Sequence, residues 1–401
     1  MFSSFRRGPA TAMTTGLLLV LALLSATGPF ATDLYLPSFP AMTEELGASA
    51  TGVQLTLTAF LLGMAAGQLV FGPLSDRHGR FRPLLLGSAG FVLASVVCAL
   101  APTLAVLVGG RLVQGLCASA GVVIARAMVA DLTTGATSAR TFSLLMTIGG
   151  VAPVVAPTVG GLLAGSLGWR GVLWVLAGLA LVMFVCVVAV LSESQPPSSR
   201  SSGPLLAGLA SVVRKRKFLG YAVLFASTFG VLMSYISASP FVYQNLMGLS
   251  ASAYGIAFGV NAMGLVGAGF ISARLARRIP PRKTVTVAVS VLLAMSLAVL
   301  ALSVGGAAPL LLAIPIFFAA SSVGFIMGNT TSLALAEVGL AAGSGSAVLG
   351  GGQFFAGALV SPLTGLAGKE SAVPLAIIMT LSALVAVAAL VATRTRQPAD
   401  R

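Results

Sequence analysis

Long apolar runs, separated by short polar segments, repeat along the whole chain. Twelve of these runs are long enough to cross a bilayer as a helix, since a spanning helix needs about 20 mostly apolar residues. They cover approximately residues 13–36, 53–74, 84–101, 105–127, 142–163, 172–191, 218–241, 254–273, 284–304, 308–328, 347–365 and 373–392. The pattern predicts an all-α membrane protein with twelve transmembrane helices, called spans one to twelve below.

Composition agrees with this prediction. Hydrophobic residues make up 57% of the 401 residues and charged residues only 8%, whereas soluble domains carry about 25% charged residues. The net charge of +14 would favour nucleic acid if the basic residues lined one face of a soluble domain. They instead form short clusters between apolar runs. We therefore expect membrane lipid around the chain and no nucleic-acid partner.

The three cysteines, Cys98, Cys117 and Cys186, all lie inside apolar runs. Their positions favour small buried hydrophobic residues over a disulfide framework or a metal cluster. The sequence therefore predicts no bound metal and no cofactor.

The loop at residues 72–83 determines the orientation of every span. It contains three arginines and the only histidine of the chain, and short loops rich in Lys and Arg are retained on the cytoplasmic side. With this loop inside, both termini are inside, and all but three of the 23 cations lie on that side or at a cytoplasmic helix end. The exceptions are Arg111, Arg170 and Lys369. We predict a multi-pass protein of a bacterial cytoplasmic membrane with cytoplasmic termini.

A segment rich in Ser and Pro divides the spans into six and six. It covers residues 192–217 and has the composition of a linker. The predicted domains are therefore an N-terminal six-helix bundle at 1–191, a cytoplasmic linker at 192–217 and a C-terminal six-helix bundle at 218–401.

A faint repeat relates the two halves. The residues Gly72, Arg77 and Arg80 correspond to Gly269, Arg274 and Arg277 at one constant spacing along the chain. Parallel repeats of six helices are an established transporter architecture, with the substrate site between the halves near the middle of the membrane. The repeat therefore favours a transporter.

Asp33 and Arg111 are the charged residues expected inside spans. The chain has only nine acids, and the other eight fall in loops, in the linker, in the tail or at cytoplasmic helix ends. Removal from water favours the neutral form of a carboxylic acid, so an intramembrane acid can carry a proton across the membrane. Our hypothesis is that Asp33 binds the proton and that Arg111 responds to its charge, directly or through Gln114 and water. In the alternative, Asp33 caps a helix end in interfacial water and backbone carbonyls brace Arg111.

Four stretches resemble the major facilitator superfamily and, within it, the twelve-helix drug:proton antiporters of the Bcr/CflA type. Residues 72–80 are similar to the family's loop between spans two and three, and 111–115 to its proton-coupling motif in span four. Residues 149–161 are similar to the antiporter motif of span five, although Ala156 stands where Gly usually precedes the proline. Residues 32–40 are similar to the segment that closes span one in the Bcr/CflA branch.

The resemblance implies a cytoplasmic gate that latches the two halves. In this gate Asp76 faces the start of span eleven and Arg80 lies near Asp131. The residues assigned to it are Gly72, Asp76, Arg77, Gly79, Arg80 and Asp131. In the alternative, the arginines serve only as orientation signals.

The antiporter motif separates exporters from importers in the family. Its small residues allow close helix packing, and each proline removes an i to i−4 hydrogen bond and bends the helix. The motif residues are Gly149, Gly150, Pro153, Pro157, Gly160 and Gly161. Generic close packing of helices would produce a similar composition.

The substrate class is predicted from what the spans offer to a ligand. Few fixed charges and much apolar surface suit small amphipathic drugs better than sugars. Chloramphenicol-like compounds, bicyclomycin or a host-made antibiotic are what the resemblance to the Bcr/CflA branch implies. The candidate cavity residues are Tyr35, Gln54, Tyr235, Asn261, Asn329 and Gln353. The alternative is proton-coupled import or export of a small metabolite. We find no catalytic motif, so we expect a transporter, working as a monomer, and not an enzyme.

Overall fold

A computed structural model of the protein describes residues 13–196, 212–276, 278–339 and 342–393. Within these ranges all regular structure is helical. Eleven helical segments are long and apolar enough to cross a membrane. The predicted all-α, multi-pass membrane architecture is thereby confirmed.

The first part of the chain forms seven helices. They are α1 Thr15–Ser25, α2 Thr27–Asp33, α3 Phe39–Glu45, α4 Ala50–His78, α5 Phe81–Ala99, α6 Leu104–Leu132 and α7 Gly135–Val190. The second part forms six more, namely α8 Arg216–Phe241, α9 Ala251–Leu275, α10 Pro281–Val304, α11 Ala313–Val338, α12 Ala342–Val360 and α13 Val373–Ala392.

The helices group into two compact units. The first contains α1 to α7 together with Tyr243–Val260, and the second contains α8 and the described residues from Asn261 onward. The predicted domain boundaries at residues 191 and 218 remain a prediction.

Span one was predicted as one helix over residues 13–36, and the structure divides it into α1 and α2. Pro29 has no N–H and its ring crowds the carbonyl four residues earlier, at Ser25, where α1 ends. Pro37 has the same relation to Asp33, where α2 ends. The two prolines therefore isolate a helix of seven residues that carries Asp33 at its end.

The outer end of this segment also differs from the prediction. Glu45, expected in a loop, ends the short helix α3, which continues the same membrane-spanning segment. Pro40, in the first turn of α3, supports the helix because the missing N–H of a proline costs nothing at that position.

Helices α4 and α6 cross with their backbones in contact. A Cβ on Gly115 of α6 would collide with the backbone of Phe60 in α4, and one on Gly63 of α4 would collide with that of Leu112. Small residues at such a crossing let helices associate closely inside a membrane. The crossing brings Arg111 of α6 against α4.

The longest element, α7, contains predicted spans five and six. It remains helical through Pro153 and Pro157, and it breaks at Gly168, whose φ of +63° favours glycine. Apolar side chains such as Leu21, Ile124 and Val187 pack α1, α6 and α7 into one buried cluster.

In the second unit, α8 packs against α11, α12 and α13. Helix α11 runs to Val338, well beyond the predicted end of span ten at residue 328. Glu337 therefore lies in the last turn of α11, where its backbone carbonyl accepts a hydrogen bond of 2.9 Å from Lys215 Nζ.

Candidate functional site

Arg111 is fully buried in α6 and starts a chain of hydrogen bonds. Its Nη2 donates to the carbonyl of Ala31 at 2.8 Å, and its Nη1 donates to Gln114 Oε1. Gln114 Nε2 in turn donates to Ser95 Oγ at 2.7 Å. The Ala31 carbonyl is available because the last turn of a helix leaves its carbonyls without helical partners.

Two aromatic rings lie against the guanidinium of Arg111 and stabilise its positive charge. Its Cζ lies 4.4 Å from the ring centroid of Tyr35 and 4.5 Å from that of Phe60. The rings attract a cation through their electron-rich faces, and the attraction strengthens where water is excluded. The Tyr35 hydroxyl lies 3.0 Å from Thr56 Oγ1, which fixes this ring in place.

Asp33 ends α2 two residues after Ala31, and its side chain is only 3% exposed. Thr32 Oγ1 donates to Asp33 Oδ1 at 2.7 Å. Among the described residues, no ion pair of 4 Å or less joins Asp33 to Arg111. The structure thus links the two predicted residues through the backbone of α2 and not by direct contact.

The antiporter motif packs on the same short helix. A Cβ on Gly160 of α7 would collide with the carbonyl of Leu34, the residue after Asp33. On another side of α7, Gly161 accepts from Ser252 Oγ at 3.2 Å, and Thr158 Oγ1 donates to the Gly255 carbonyl at the same distance. The motif therefore lies between the end of α2 and the first turns of α9.

The remaining motif residues lie earlier in α7. Gly149 and Gly150 precede Pro153 and Pro157, and all four lie within continuous helix. The motif is therefore one helical surface, beginning more than two turns before the contact at Gly160.

Arg80, between α4 and α5, lies at the centre of a second charged cluster. Its Nε donates to Asp131 Oδ2 at 2.9 Å, and its Nη1 bonds both Ser75 Oγ and Asp76 Oδ1. Burial disfavours the charged form of Arg80, but the bonds and charges of the two carboxylates outweigh that effect and raise its pKa above the ordinary value. Ser194 Oγ also donates to Asp131, at 3.0 Å.

Sequence reasoning assigned Glu193 to the linker and missed its part in this cluster. Its carboxylate accepts from the backbone N–H of Arg80 at 2.8 Å and of Phe81 at 3.3 Å. It thereby caps the N-terminus of α5, where a negative charge is favourable. The available signal was an acid directly after span six in a chain with few acids.

The other predicted gate residues lie around the end of α4. Gly79 follows α4 with φ of +85°, a conformation that favours glycine. Gly72 lies within α4, and Arg77 lies exposed in its last turn. The structure therefore gathers Asp76, Arg80 and Asp131 into one cluster and leaves Arg77 at its edge.

The predicted cavity residues occur in both units. In the first, Tyr35 and Gln54 are buried. In the second, Asn261 Nδ2 donates to the Tyr235 hydroxyl at 3.0 Å, and Asn329 Nδ2 donates to Ser272 Oγ at 2.7 Å. Gln353 is partly buried in α12. The structure therefore pairs Tyr235 with Asn261 and Asn329 with Ser272.

Many membrane-spanning helices, a buried arginine and a charged cluster beside the α4–α5 turn define a multi-pass transporter rather than an enzyme. Residues 18–362 match the profile of the Major Facilitator Superfamily, and the chain belongs to this superfamily.

Curated relatives agree with this assignment and confirm the resemblance noted from the motifs. The chain is 37% identical over 371 residues to the uncharacterized MFS-type transporter YdgK of Bacillus subtilis (strain 168), covering 91% of this chain and 92% of that protein. It is 28% identical to the bicyclomycin resistance protein homolog of Haemophilus influenzae, covering 93% and 94%. It is 31% identical to the multidrug resistance protein MdtL of Shigella flexneri, covering 80% and 81%.

Solved structures show the same fold. The nucleoside transporter NupG superposes with a TM-score of 0.72 at 11% identity, covering 94% of this chain and 98% of that one. The D-xylose-proton symporter gives 0.71 at 14% identity, covering 92% and 96%. At these identities the likeness is one of fold.

Proposed function

We propose that this protein exports small amphipathic drugs, of the chloramphenicol or bicyclomycin kind, in exchange for protons. Two relatives support drug export, since their names state bicyclomycin resistance and multidrug resistance. The glycines and prolines of α7 support export over import. The transport cycle we propose is alternating access in a bacterial cytoplasmic membrane, by a monomer with twelve spans and cytoplasmic termini.

The observation that carries the proton coupling is the position of Asp33. A carboxyl group buried in a membrane-spanning segment, with one hydroxyl as its hydrogen-bond partner, is stable as a neutral acid and costly as an anion. In our proposal Asp33 takes a proton from the outer side of the membrane and releases it toward the cytoplasm in exchange for the drug.

Arg111 senses the charge of Asp33 in this proposal. Its guanidinium binds the backbone of the helix that ends at Asp33, and its Nε–H has no hydrogen-bond partner among the described residues. A buried donor without an acceptor costs about 1–3 kcal/mol. An ionised Asp33, or a water that it orders, would supply the missing acceptor, so loss of the proton would draw α2 toward α6.

The close contact at Gly160 couples this movement of α2 to α7. Because α7 touches the Leu34 carbonyl, a shift of α2 displaces or releases α7. Interiors of packed helices repack between discrete arrangements and do not deform continuously. We assign the substrate pathway to Tyr35, Gln54, Tyr235, Asn261, Asn329 and Gln353, and the gate to the cluster around Arg80.

Proton flux in inside-out membrane vesicles tests the proposal. Addition of chloramphenicol should dissipate a preformed pH gradient in vesicles that contain the protein. Asp33→Asn should abolish this response, because the amide keeps the size of the side chain and cannot release a proton. Glu44→Gln is the matched control, an exposed acid on the adjoining helix α3 that should leave the response unchanged.

Proton-driven drug export that persists in the Asp33→Asn variant would contradict the proposed role of Asp33. A proton response to small metabolites, with none to a panel of amphipathic drugs, would favour the alternative of a metabolite transporter.

Cysteine labelling tests the count of twelve spans. The break at Gly168 allows α7 to supply two spans joined by a tight outer turn. Ser166→Cys should then react with a membrane-impermeant maleimide from outside intact cells, and Lys217→Cys only after the cells are opened. Labelling of both from the same side would contradict the count.

A further inference from the structure

A lateral groove opens on the second unit between α10, α11 and the end of α9. Its volume is about 550 Å³, and its walls include Leu275, Val287, Val291, Phe318 and Phe325. Val287 is 63% exposed and Phe318 50% exposed, although both side chains are apolar. In a membrane protein such side chains contact lipid, so the groove faces the acyl chains of the bilayer.

One end of the groove is positively charged. Arg278 and Lys283 line it there, on either side of Pro280, and the described residues that line it include no acid. Among the described residues, neither side chain has a hydrogen bond or an ion pair. Arg282, between them in sequence, instead donates to the Tyr221 hydroxyl at 3.1 Å and to the Thr393 carbonyl at 3.3 Å. Two of three neighbouring cations are thus directed to the groove.

The position of Lys283 makes an anion favourable at this end. Lys283 lies in the first turn of α10, where the helix dipole disfavours a cation and favours an anion. A phosphate held between the two cations would relieve both their mutual repulsion and this unfavourable interaction.

The dimensions fit a lipid better than a compact anion. Lys283 and Val291 lie on the same helix, and at about 1.5 Å per residue the apolar wall extends roughly 12 Å from the charged end. That length accommodates about half of an acyl chain beneath a headgroup.

We infer that this groove binds an anionic glycerophospholipid of the inner leaflet, such as phosphatidylglycerol. The phosphate lies between Arg278 and Lys283, and one acyl chain follows Val287, Val291 and Phe318. Basic pockets between helices on the cytoplasmic side are established sites for such headgroups. The leaflet follows from the orientation proposed above, whereas the binding chemistry does not depend on drug export.

Native mass spectrometry of the delipidated full-length protein tests this inference, with phosphatidylglycerol as probe and phosphatidylethanolamine as the zwitterionic comparison. Arg278→Gln with Lys283→Gln should weaken phosphatidylglycerol binding about 25-fold, and either change alone about fivefold. The matched control is Arg214→Gln with Lys217→Gln, which removes the same charge from two exposed cations outside the groove. It should leave binding unchanged.

A second pair of variants tests the acyl chain without changing charge. Val287→Trp fills the groove and should weaken phosphatidylglycerol binding, whereas Leu297→Trp, also exposed on α10, should not. Thermal unfolding of each variant shows that it is folded.

Three results would overturn the assignment. If both double-glutamine variants lost the same amount of phosphatidylglycerol binding, the effect would be one of net charge. If Val287→Trp bound the lipid as well as the wild type, the groove would not be the binding site. Displacement of the lipid by chloramphenicol, with weaker chloramphenicol binding in Val287→Trp, would make the groove a drug site. If the protein formed dimers in the absence of lipid and Val287→Trp abolished them, the groove would be assigned to contact with a second copy of the chain.

Discussion

Among the described residues of the first unit, two arginines are buried, and their charges are compensated in different ways. Arg80 lies between the carboxylates of Asp76 and Asp131. Arg111 has a backbone carbonyl, an amide oxygen and two aromatic rings, and the described residues give it no carboxylate within 4 Å. Carboxylates therefore compensate the charge of Arg80, whereas no carboxylate among the described residues compensates the charge of Arg111.

The difference follows from location. Arg80 lies just outside two membrane-spanning helices, where water reaches the edge of its cluster. The desolvation cost of a permanent ion pair is therefore small there. Arg111 lies within a span, where a permanent carboxylate partner would cancel any response to a second charge. Dipoles and rings stabilise the cation without neutralising it, so its environment changes when a nearby acid ionises.

The largest effect is expected for Arg111→Ala. The change leaves the Ala31 carbonyl and Gln114 without their charged donor, and each buried unsatisfied group costs about 1–3 kcal/mol. We expect drug-dependent proton flux to fall more than tenfold, since about 1.4 kcal/mol already corresponds to a factor of ten. Arg126→Ala, an exposed cation further along α6, is the control in the same vesicle assay. Wild-type flux in Arg111→Ala would show that the Arg111 site has no part in the mechanism.

Arg111→Lys sharpens the comparison. One ammonium cannot reproduce two fixed donors and the flat contact with both rings. We expect a loss of flux close to that of Arg111→Ala, together with better thermal stability because a cation remains. Full transport by the lysine variant would show that charge alone is sufficient at this position.

A smaller effect is expected for Arg80→Ala. It leaves Asp76 and Asp131 without their shared cation, but Asp76 is largely solvated and Asp131 is about 20% exposed. We expect about 1–3 kcal/mol of lost stability and a several-fold lower transport rate. Thermal unfolding in detergent measures the first, with exposed Arg82→Ala as control. A loss as large as that of Arg111→Ala would contradict the contrast between the clusters.

A modest effect is expected for Glu193→Gln. The amide keeps the shape of the side chain but replaces a charged acceptor at the N-terminus of α5, at a cost of about 1 kcal/mol. Thermal unfolding should detect this cost, and the exposed change Glu370→Gln should have none. An unchanged melting temperature would mean that the cap contributes nothing measurable.

The smallest effect is expected for Arg170→Gln. Arg170 pairs with Glu45 at an exposed position, and its guanidinium lies 4.1 Å from the ring centroid of Trp169. Exposed pairs contribute at most about 1 kcal/mol and are screened by salt. Trp169 Nε1 keeps its bond of 2.6 Å to Glu45 in this variant. We expect a small shift in melting temperature that disappears at high salt.

The sequence predicted the parts of this contrast that side-chain chemistry determines. Hydropathy separated an arginine inside a span from arginines at its ends, and the motif resemblance placed Arg80 near Asp131. The carbonyl of Ala31 had no such signal, because every residue has a carbonyl and only the end of a helix makes one available. Pro29 and Pro37, which bound this short helix, were visible, yet the apolar run continues through Pro29 to residue 36 and concealed the break.

The partners of Glu193 were also beyond prediction, since they are backbone N–H groups of a distant segment and only the three-dimensional packing brings them together. The extension of α11 beyond the predicted end of span ten was likewise not predictable. Small polar residues ended the apolar run there, although the helix continues through them to Val338.

Glu193 has a consequence for how the two halves of the chain are tethered. The chain leaves α7 at Val190, but it stays fastened there by Glu193 and by the Gln195 N–H that donates to it at 3.0 Å. If residues 192–195 were not held by these bonds, they could extend over roughly 14 Å. A deletion that removes Glu193 therefore also removes the anchor that holds the chain beside the end of α7, whereas a deletion after Pro196 leaves this anchor in place.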